Sequence, residues 1–394
     1  MNRQTELTLL FLFLISFLSG QNIVVFDTTY DETNKTVIKS VIQSELIGAE
    51  TVRQGIATYY YTTGQRWQTG YYLDDQMDSL WTTYYLIGAV KRTSIYKDGL
   101  RNGPFINYYE NGKIKSKGTN INDQIEGTVL LYGNSGELSE TRDYKNNTLN
   151  GITTGFFPNG NVHYRFEYVD SVKNGLYEKY YDSGNLMECT TIAGKDFVDE
   201  YFSYYENGQL EKSYKYVANE IEGPYVVYFV DGKVFINTIY EKGKPHGSWE
   251  QYHQNGNLYE KGEMKDGKRI GDWVSYYPDS SLYMKGRYIN GLAAGEWEVF
   301  YENGNPKQSG CFIGGKANGR WIIFYKNGQK KMQGVFEDDV QDGRWAQFYD
   351  NGKVKLDLPY KHGVLEGIVT AYDEEGGITE QAEFVNNTVV RKIK

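Results

Sequence analysis

The chain has little of what most catalytic and metal-binding domains use. Its 394 residues include only two cysteines, four histidines and seven prolines. A tetrahedral metal site needs converging His or Cys ligands and a disulfide framework needs paired cysteines, so neither is expected. Basic residues are also outnumbered, 42 against 51 acidic ones, for a net charge of −9. This balance argues against binding to nucleic acid or to anionic lipid as the main function.

Aromatic residues and glycine are abundant instead. The chain holds 37 Tyr, 18 Phe and 7 Trp beside 44 Gly. Such a chain has ample apolar area to bury, and it is not expected to be disordered. The composition is typical of many short aromatic strands separated by glycine turns, and it does not indicate an enzyme.

The first residues predict export. Leu7 to Leu18 form a largely apolar run of 12 residues without a charge, which is too short to span a membrane and typical of the core of a signal peptide. We therefore predict a signal peptide over residues 1–20 with cleavage before Gln21; an uncleaved anchor is the alternative. Because Gln21 is not a cysteine, the chain lacks a lipobox. We expect a soluble secreted, periplasmic or cell-envelope protein without a later transmembrane segment.

A period of 24 residues runs through most of the chain. It is marked by a glycine from Gly64 to Gly376, with Ser280 in one of the fourteen slots. Positions are given relative to this glycine: −4 is aromatic in all fourteen units, and −9 is a glycine in twelve. This period predicts an all-β fold over residues 51–394, an elongated single-layer antiparallel meander of about fourteen 24-residue β-hairpins.

Residues 21–50 do not follow the repeat. We predict that they form an N-terminal capping segment, because the first hairpin of such an array must cover its sheet edge. Asn22 to Asp27 favour a strand. Thr36 to Leu46 have a weakly amphipathic pattern that favours a helix.

The Asn-Gly sequence in many units predicts a two-residue type I′ hairpin turn. In the unit that begins at Gly295, the turn is Asn303–Gly304 and a looser connection follows over Gly314–Gly319. The predicted register pairs −3 with +2 and −7 with +6. It sets large residues opposite small ones in Trp249–Gly262, Trp273–Gly286, Trp297–Gly310, Trp321–Gly334, Phe105–Gly118 and Thr153–Phe166, but not in Tyr201–Tyr214 or Trp345–Leu358.

This register also predicts the two faces of the sheet. Each indole is expected to lie across the opposed glycine, with the aliphatic residues at +2 and the aromatic residues at +8 on the same packed face. The aromatic residue at −4 is expected on the other face, because successive side chains of a strand alternate.

The repeated segments resemble a known family. YYENG, FFPNG, FYENG and FYKNG recur with Gly-x-Trp half a unit earlier, and this pattern resembles the MORN repeat in its bacterial variant form. The best matches are Gly247–Gly256, Gly295–Gly304, Gly319–Gly328 and Gly343–Gly352. The resemblance implies a sheet used for protein contacts, and it implies no reaction. Similar exported bacterial chains carry the label of a YwqK-type antitoxin component.

The aromatic residues at −4 are the candidate interaction surface. One interpretation is structural, since tyrosines that stack along a sheet shield its hydrogen bonds and contribute up to about 1 kcal/mol per cross-strand pair. The other is a ladder of stacking platforms for sugar rings or for an apolar strip of a partner. The candidate residues are Tyr108, Tyr180, Tyr204, Tyr228, Tyr252, Tyr276, Phe300, Phe324 and Phe348.

No motif indicates catalysis or cofactor binding. Phosphate-binding glycine loops, HExxH, CxxC and GxSxG are absent from the sequence. The four histidines, His163, His246, His253 and His362, fall in different units, with His246 and His362 in predicted connecting loops, so we expect no metal site. Cys189 and Cys311 lie too many strands apart for a disulfide and are predicted to be free thiols. Asn34, Asn146 and Asn386 occupy N-x-Thr sequons, which matter only where secreted proteins are glycosylated.

The sequence therefore predicts an exported, non-enzymatic repeat protein that acts as a scaffold for a protein partner. One alternative is a glycan-binding module of the cell surface that uses the aromatic ladder. Another is an antitoxin-like protein that neutralises an exported toxin. Neither a nucleic-acid partner nor a cofactor is expected.

Overall fold

The computed structural model describes residues 23–30 and 37–394. The predicted signal peptide lies outside these residues. Every regular element within them is a β-strand, which confirms the all-β fold class, and they contain no helix that could cross a membrane. The chain divides into two compact units, one that ends at Asp196 and one over Phe197–Lys394.

Fourteen strands belong to the first unit. They are β1 (Ile23–Tyr30), β2 (Ile38–Ile47), β3 (Glu50–Tyr60), β4 (Arg66–Leu73), β5 (Gln76–Tyr84), β6 (Val90–Lys97), β7 (Leu100–Tyr108), β8 (Ile114–Ile121), β9 (Gln124–Tyr132), β10 (Leu138–Lys145), β11 (Thr148–Phe156), β12 (Val162–Val169), β13 (Val172–Tyr180) and β14 (Leu186–Ala193).

The second unit contains the remaining strands. They are β15 (Asp196–Tyr204), β16 (Leu210–Val217), β17 (Glu220–Tyr228), β18 (Val234–Glu241), β19 (Lys244–Tyr252), β20 (Leu258–Lys265), β21 (Lys268–Tyr276), β22 (Leu282–Ile289), β23 (Leu292–Phe300), β24 (Pro306–Ile313), β25 (Lys316–Phe324), β26 (Lys330–Glu337), β27 (Val340–Phe348), β28 (Val354–Lys361), β29 (Val364–Leu365), β30 (Gly367–Tyr372), β31 (Ile378–Val385) and β32 (Thr388–Lys392).

Within each unit the strands pair antiparallel in chain order, which confirms the hairpin meander. The predicted helix over Thr36–Leu46 is wrong. Residues Ile38–Ile47 form β2, which pairs with β1 on one side and with β3 on the other. Ser40 and Ser44 of β2 are buried, because they point to the same face of the strand and their small side chains pack against the neighbouring strands. A helix over these residues would need a wider apolar stripe than the sequence offers.

The loop that carries the Asn-Gly sequence has three residues, so the predicted two-residue type I′ turn is wrong. At Gly304, the glycine N–H donates to Tyr301 O at 2.9 Å, and the Tyr301 N–H donates to Asn305 O at 2.8 Å. The glycine has a φ of 80°, and Asn303 is not left-handed. This geometry is a type I turn followed by a glycine bulge. All fourteen loops repeat these two hydrogen bonds, and Ser280 takes a φ of 70° in the glycine position.

The tight turns lie at the other end of the strands. Ile313 pairs directly with Lys316, and between them Gly314 and Gly315 have φ values of 58° and 87°. Positive φ at both central residues defines a type I′ turn, and thirteen connections show it, from Asp74–Asp75 to Asn386–Asn387. The predicted looser connection over Gly314–Gly319 is therefore wrong.

The predicted pairing of −7 with +6 is confirmed, as in Trp297 opposite Gly310. The predicted pairing of −3 with +2 is wrong, because Phe300 at −4 pairs with Pro306, and the register shifts before Val299 pairs with Gln308. This bulge places the +2 residues beside the −4 aromatic residues, on the face opposite the indoles. The remaining pairs agree with the prediction: Trp249–Gly262, Trp273–Gly286, Trp321–Gly334, Phe105–Gly118, Thr153–Phe166, Tyr201–Tyr214 and Trp345–Leu358.

Each buried indole covers the glycine of the preceding hairpin. The three atoms nearest to a Cβ atom on Gly310 all belong to Trp321, the first at 2.1 Å, so the ring nearest to Gly310 is Trp321 and not the predicted Trp297. The glycines covered in this way are Gly70, Gly262, Gly286, Gly310 and Gly334, and the indoles above them, Trp81, Trp273, Trp297, Trp321 and Trp345, are 1–8 % exposed. Trp249 follows Thr238 instead of a glycine and is only half-buried.

In the second unit, the indoles and the +8 aromatic residues form the core. Tyr288, Trp297, Phe312 and Trp321 contact one another in that order, with ring centroids 5.0, 5.7 and 5.1 Å apart and interplanar angles of 79° to 90°. Edge-to-face contacts contribute about 0.5–1.5 kcal/mol each beyond the buried area. The prediction that +8 lies on the packed face is confirmed, and we call this face the tryptophan face.

Candidate interaction surface

The predicted aromatic residues end the strands that precede the three-residue loops. We call these nine side chains the aromatic row: Tyr108 and Tyr180 in the first unit, and Tyr204, Tyr228, Tyr252, Tyr276, Phe300, Phe324 and Phe348 in the second. The register places them on the face opposite the indoles, as predicted. All nine are half-buried, so each ring leaves part of its surface open to solvent.

Aliphatic side chains lie beside most members of the row, while Lys330 lies beside Phe324. Tyr228 pairs with Val234, and Tyr252, the next member, pairs with Leu258. Tyr228, Tyr252 and Val234, together with Val226 and Lys233, line an open groove on this face. The register predicted from sequence placed the +2 residues on the tryptophan face, so this groove could not be foreseen.

Charged side chains lie beside rings of the row in both units. The guanidinium of Arg165 lies 5.8 Å from the ring centroid of Tyr180, within cation–π distance. The Tyr180 hydroxyl donates to Glu178 Oε2 at 2.6 Å. Burial, and then this hydrogen bond, raise the pKa of Tyr180 to about 12. Tyr252 repeats the pattern in the second unit, with its hydroxyl donating to Glu250 Oε2 at 2.8 Å.

The aromatic residue at −3 has a role that was not recognised in the sequence. The Tyr301 hydroxyl donates to Phe324 O at 2.9 Å, so it bonds to the backbone of the next member of the row. Tyrosines of other units make the same bond 23 residues ahead, among them Tyr61, Tyr85, Tyr109, Tyr205, Tyr277, Tyr325 and Tyr349. His253 takes this position once, and its Nε2 lies 2.9 Å from Tyr276 O. The recurrence of two adjacent aromatic residues was the available signal.

The asparagine at −1 also joins successive hairpins. Asn303 Oδ1 accepts from the Asn305 N–H at 3.1 Å, and its Nδ2 donates to Lys326 O at 2.9 Å. The same side chain therefore closes its own loop and contacts the next one. These two bonds explain why asparagine is frequent at −1. The predicted type I′ turn had explained it by a left-handed backbone at that position.

The cysteines and histidines lie partly where they were predicted. Cys189 and Cys311 are half-buried and are not joined in a disulfide, as predicted. His362 lies in the tight turn that follows β28. His246 belongs to β19, so its predicted position in a loop is wrong.

The comparisons with known proteins agree with the repeat. The model of the family described as MORN repeat variant matches nine segments, residues 53–74, 101–122, 149–170, 173–192, 200–218, 245–266, 294–313, 317–338 and 341–362. The full-length matches, such as 317–338, run from just after one tight turn to the first residue of the next. No curated protein matches the chain.

Solved structures give only a distant likeness. "Crystal Structure of TcdB2-TccC3" is 12 % identical with a TM-score of 0.14, and the aligned region covers 93 % of this chain and 24 % of that one. "Crystal Structure of TcdB2-TccC3-TEV" is also 12 % identical, with a TM-score of 0.18 and coverage of 94 % and 24 %. The chain thus spans about a quarter of their length, and TM-scores this low support no inference about it.

Proposed function

This chain belongs to the MORN repeat variant family, and on that premise we propose that it is an exported, non-enzymatic scaffold whose aromatic row binds a protein partner. The apolar run Leu7–Leu18 supports export. The row itself carries the proposal, because it repeats half-exposed rings on the face opposite the tryptophan core.

The difference in burial between the two faces of the sheet supports this proposal. The buried indoles and the +8 rings already supply a continuous apolar core on the tryptophan face. The aromatic row contributes less to that core, and its tyrosines combine apolar area with a polar tip. Tyrosine is enriched in protein interfaces and among the residues that dominate binding energy.

The charges around the rings favour a protein over a purely apolar ligand. Arg165 and Glu178 flank Tyr180, and Asn237 and Glu250 lie beside Tyr252, with Asn237 Nδ2 donating to Glu250 Oε2 at 3.2 Å. Alternation of apolar and charged groups gives a partner both contact area and a defined register. Repetition of such contacts along one unit raises the overall affinity through multivalency.

The test is capture of a partner from native envelope and secreted fractions with the chain from Gln21 onward. The row variant is Tyr228→Leu with Tyr252→Leu, which removes two rings beside the groove and keeps apolar volume. The matched control is Tyr259→Leu with Tyr283→Leu, two half-buried tyrosines outside the row. Circular dichroism verifies that both variants fold.

We expect wild type and control to retain the same stoichiometric protein, and the row variant to bind it at least about tenfold more weakly, since interface tyrosines often contribute more than 1 kcal/mol each. Equal capture by the row variant would contradict the proposal. Enrichment of polysaccharide without protein would favour the glycan-binding alternative, and capture of a small exported toxin would favour the antitoxin-like one.

A further inference from the structure

We propose that Glu337, Asp342 and His362 form a binding site for one divalent transition-metal ion, with Zn²⁺ as the best match. One ligand atom from each of the three side chains lies within 4.8 Å of the other two. We call these residues the carboxylate–imidazole triad. They lie beside the tight turns of the second unit, away from the three-residue loops.

Three neighbouring strands hold the triad. Glu337 ends β26, where it pairs with Val340, and Asp342 is the third residue of β27. His362 begins the turn after β28, and its backbone N–H donates to Asp342 Oδ1 at 3.0 Å. The next residue of that turn, Gly363, donates its N–H to Gln341 O at 2.9 Å. The turn that carries the imidazole is therefore fixed against β27.

The same three residue types recur at the same three repeat positions 96 residues earlier. There the positions hold Glu241, His246 and Asp266, with histidine and aspartate exchanged. His246 Nε2 lies 3.5 Å from Glu241 Oε2, and its Nδ1 lies 3.9 Å from Asp266 Oδ1. Two of the four histidines thus belong to these two sets. Glutamate occurs at the first position only in these two units, and the others carry Leu, Lys, Ile, Val or Ala.

The usual residues at these positions have a simpler contact. In the hairpin before the triad, Asn318 Nδ2 donates to Asp338 Oδ1 at 3.1 Å across the same pair of positions. That aspartate is also paired with a cation, since Lys316 Nζ lies 3.5 Å from Asp338 Oδ2. In the triad, two carboxylates approach each other without an ion pair to Lys or Arg among the described residues, an arrangement that a divalent cation would neutralise.

The donor set selects the class of metal. Two carboxylate oxygens and one imidazole nitrogen suit Zn²⁺ and neighbouring transition metals, whereas Ca²⁺ and Mg²⁺ prefer oxygen alone. Ligand distances of about 2.0–2.2 Å require the three donor atoms to approach to roughly 3.3 Å. Glu337 and His362 are exposed, so rotation of their side chains suffices. Water completes the coordination sphere.

The experiment is calorimetric titration of the untagged full chain with ZnCl₂. The test variant is His362→Asn, which keeps the turn because Asn290 and Asn386 adopt the same left-handed backbone in equivalent turns, with φ values of 50° and 49°. The matched control is His246→Asn, because among the described residues only the triad brings all three donor atoms within 4.8 Å of one another, and because asparagine also occurs at the repeat position of His246, as in Asn318. Thermal unfolding with and without ZnCl₂ provides a second readout.

We expect one saturable site in wild type and in His246→Asn, and binding at least about tenfold weaker in His362→Asn, because loss of a metal ligand costs no less than loss of a group that orients one. Zn²⁺ should raise the melting temperature of wild type and of the control more than that of His362→Asn. Absence of saturable binding below about 1 mM Zn²⁺, or equal affinity of wild type and His362→Asn, would overturn the proposal. Loss of the site in His246→Asn alone would also overturn it.

Discussion

The contact of each indole with the preceding hairpin predicts the effect of Gly310→Thr. A Cβ atom at Gly310 would lie 2.1 Å from Trp321, whereas carbon atoms normally approach to about 3.5–4.0 Å. The indole must therefore move by roughly 1.5 Å. The chain contains a natural example of the result, since Trp249 follows Thr238 and is half-buried.

We expect Gly310→Thr to lower the free energy of unfolding by about 1–3 kcal/mol, the usual cost of forcing extra atoms into a packed core. Gly310 has no left-handed backbone, so strand propensity alone would favour threonine. Urea unfolding followed by circular dichroism measures the cost. Hydrogen exchange of β25 locates it, because repeat arrays lose structure locally.

A double-mutant cycle decides which indole is responsible. In a Trp321→Ala background, the cost of Gly310→Thr should fall by about 1–3 kcal/mol, since the two sites are in contact. In a Trp297→Ala background, the cost should remain, although Trp297 is the cross-strand partner of Gly310. Relief by Trp297→Ala alone would refute the packing described here, and so would a stabilising Gly310→Thr.

Three further changes test the contacts between hairpins. Tyr301→Phe removes the hydroxyl bond to Phe324 O and should lower the free energy of unfolding, measured with urea, by about 1 kcal/mol. An unchanged free energy of unfolding would mean that this hydroxyl does not stabilise the fold. Asn303→Ala removes both side-chain bonds of the loop and should cost a similar amount, with faster local hydrogen exchange as the readout. Hydrogen bonds from Arg101 lower the pKa of Asp123. The stabilisation by the ionised Asp123 is therefore present at a pH above the ordinary carboxyl pKa and is lost as the pH falls through the lowered pKa. The small stability advantage over Asp123→Asn at pH 7 should therefore begin to shrink below about pH 4 and vanish only below the lowered pKa of Asp123.

The repeat length and the main register could be predicted because they depend on side-chain size. Only one pairing sets Trp297 opposite Gly310 and Trp273 opposite Gly286, and the structure confirms it. The loop type could not be predicted in the same way. Asn-Gly is compatible with a two-residue turn and with a three-residue loop that ends in a glycine bulge. The contact of Asn303 with Lys326, which explains the asparagine, joins two different hairpins.

The wrong assignment of the +2 residues to the tryptophan face follows from the wrong loop type. An extra residue in the loop and the bulge beside it move Val234 to the side of Tyr228, since one residue of shift reverses the face of a side chain. The aromatic row was therefore predicted, but the groove beside it was not. The carboxylate–imidazole triad was also beyond the sequence, because Glu337 and His362 are 25 residues apart and meet only through the tight turns.

The hydroxyl bonds at −3 have a mechanical consequence. Each one joins a loop to the backbone of the following hairpin, so the resistance of the array to load depends on the weakest of these joints. Gly133, Phe157 and Phe229 occupy the same position without a hydroxyl to donate. Under tension we expect the chain to open first at these three joints, so the presence or absence of one oxygen atom per repeat sets the order of rupture.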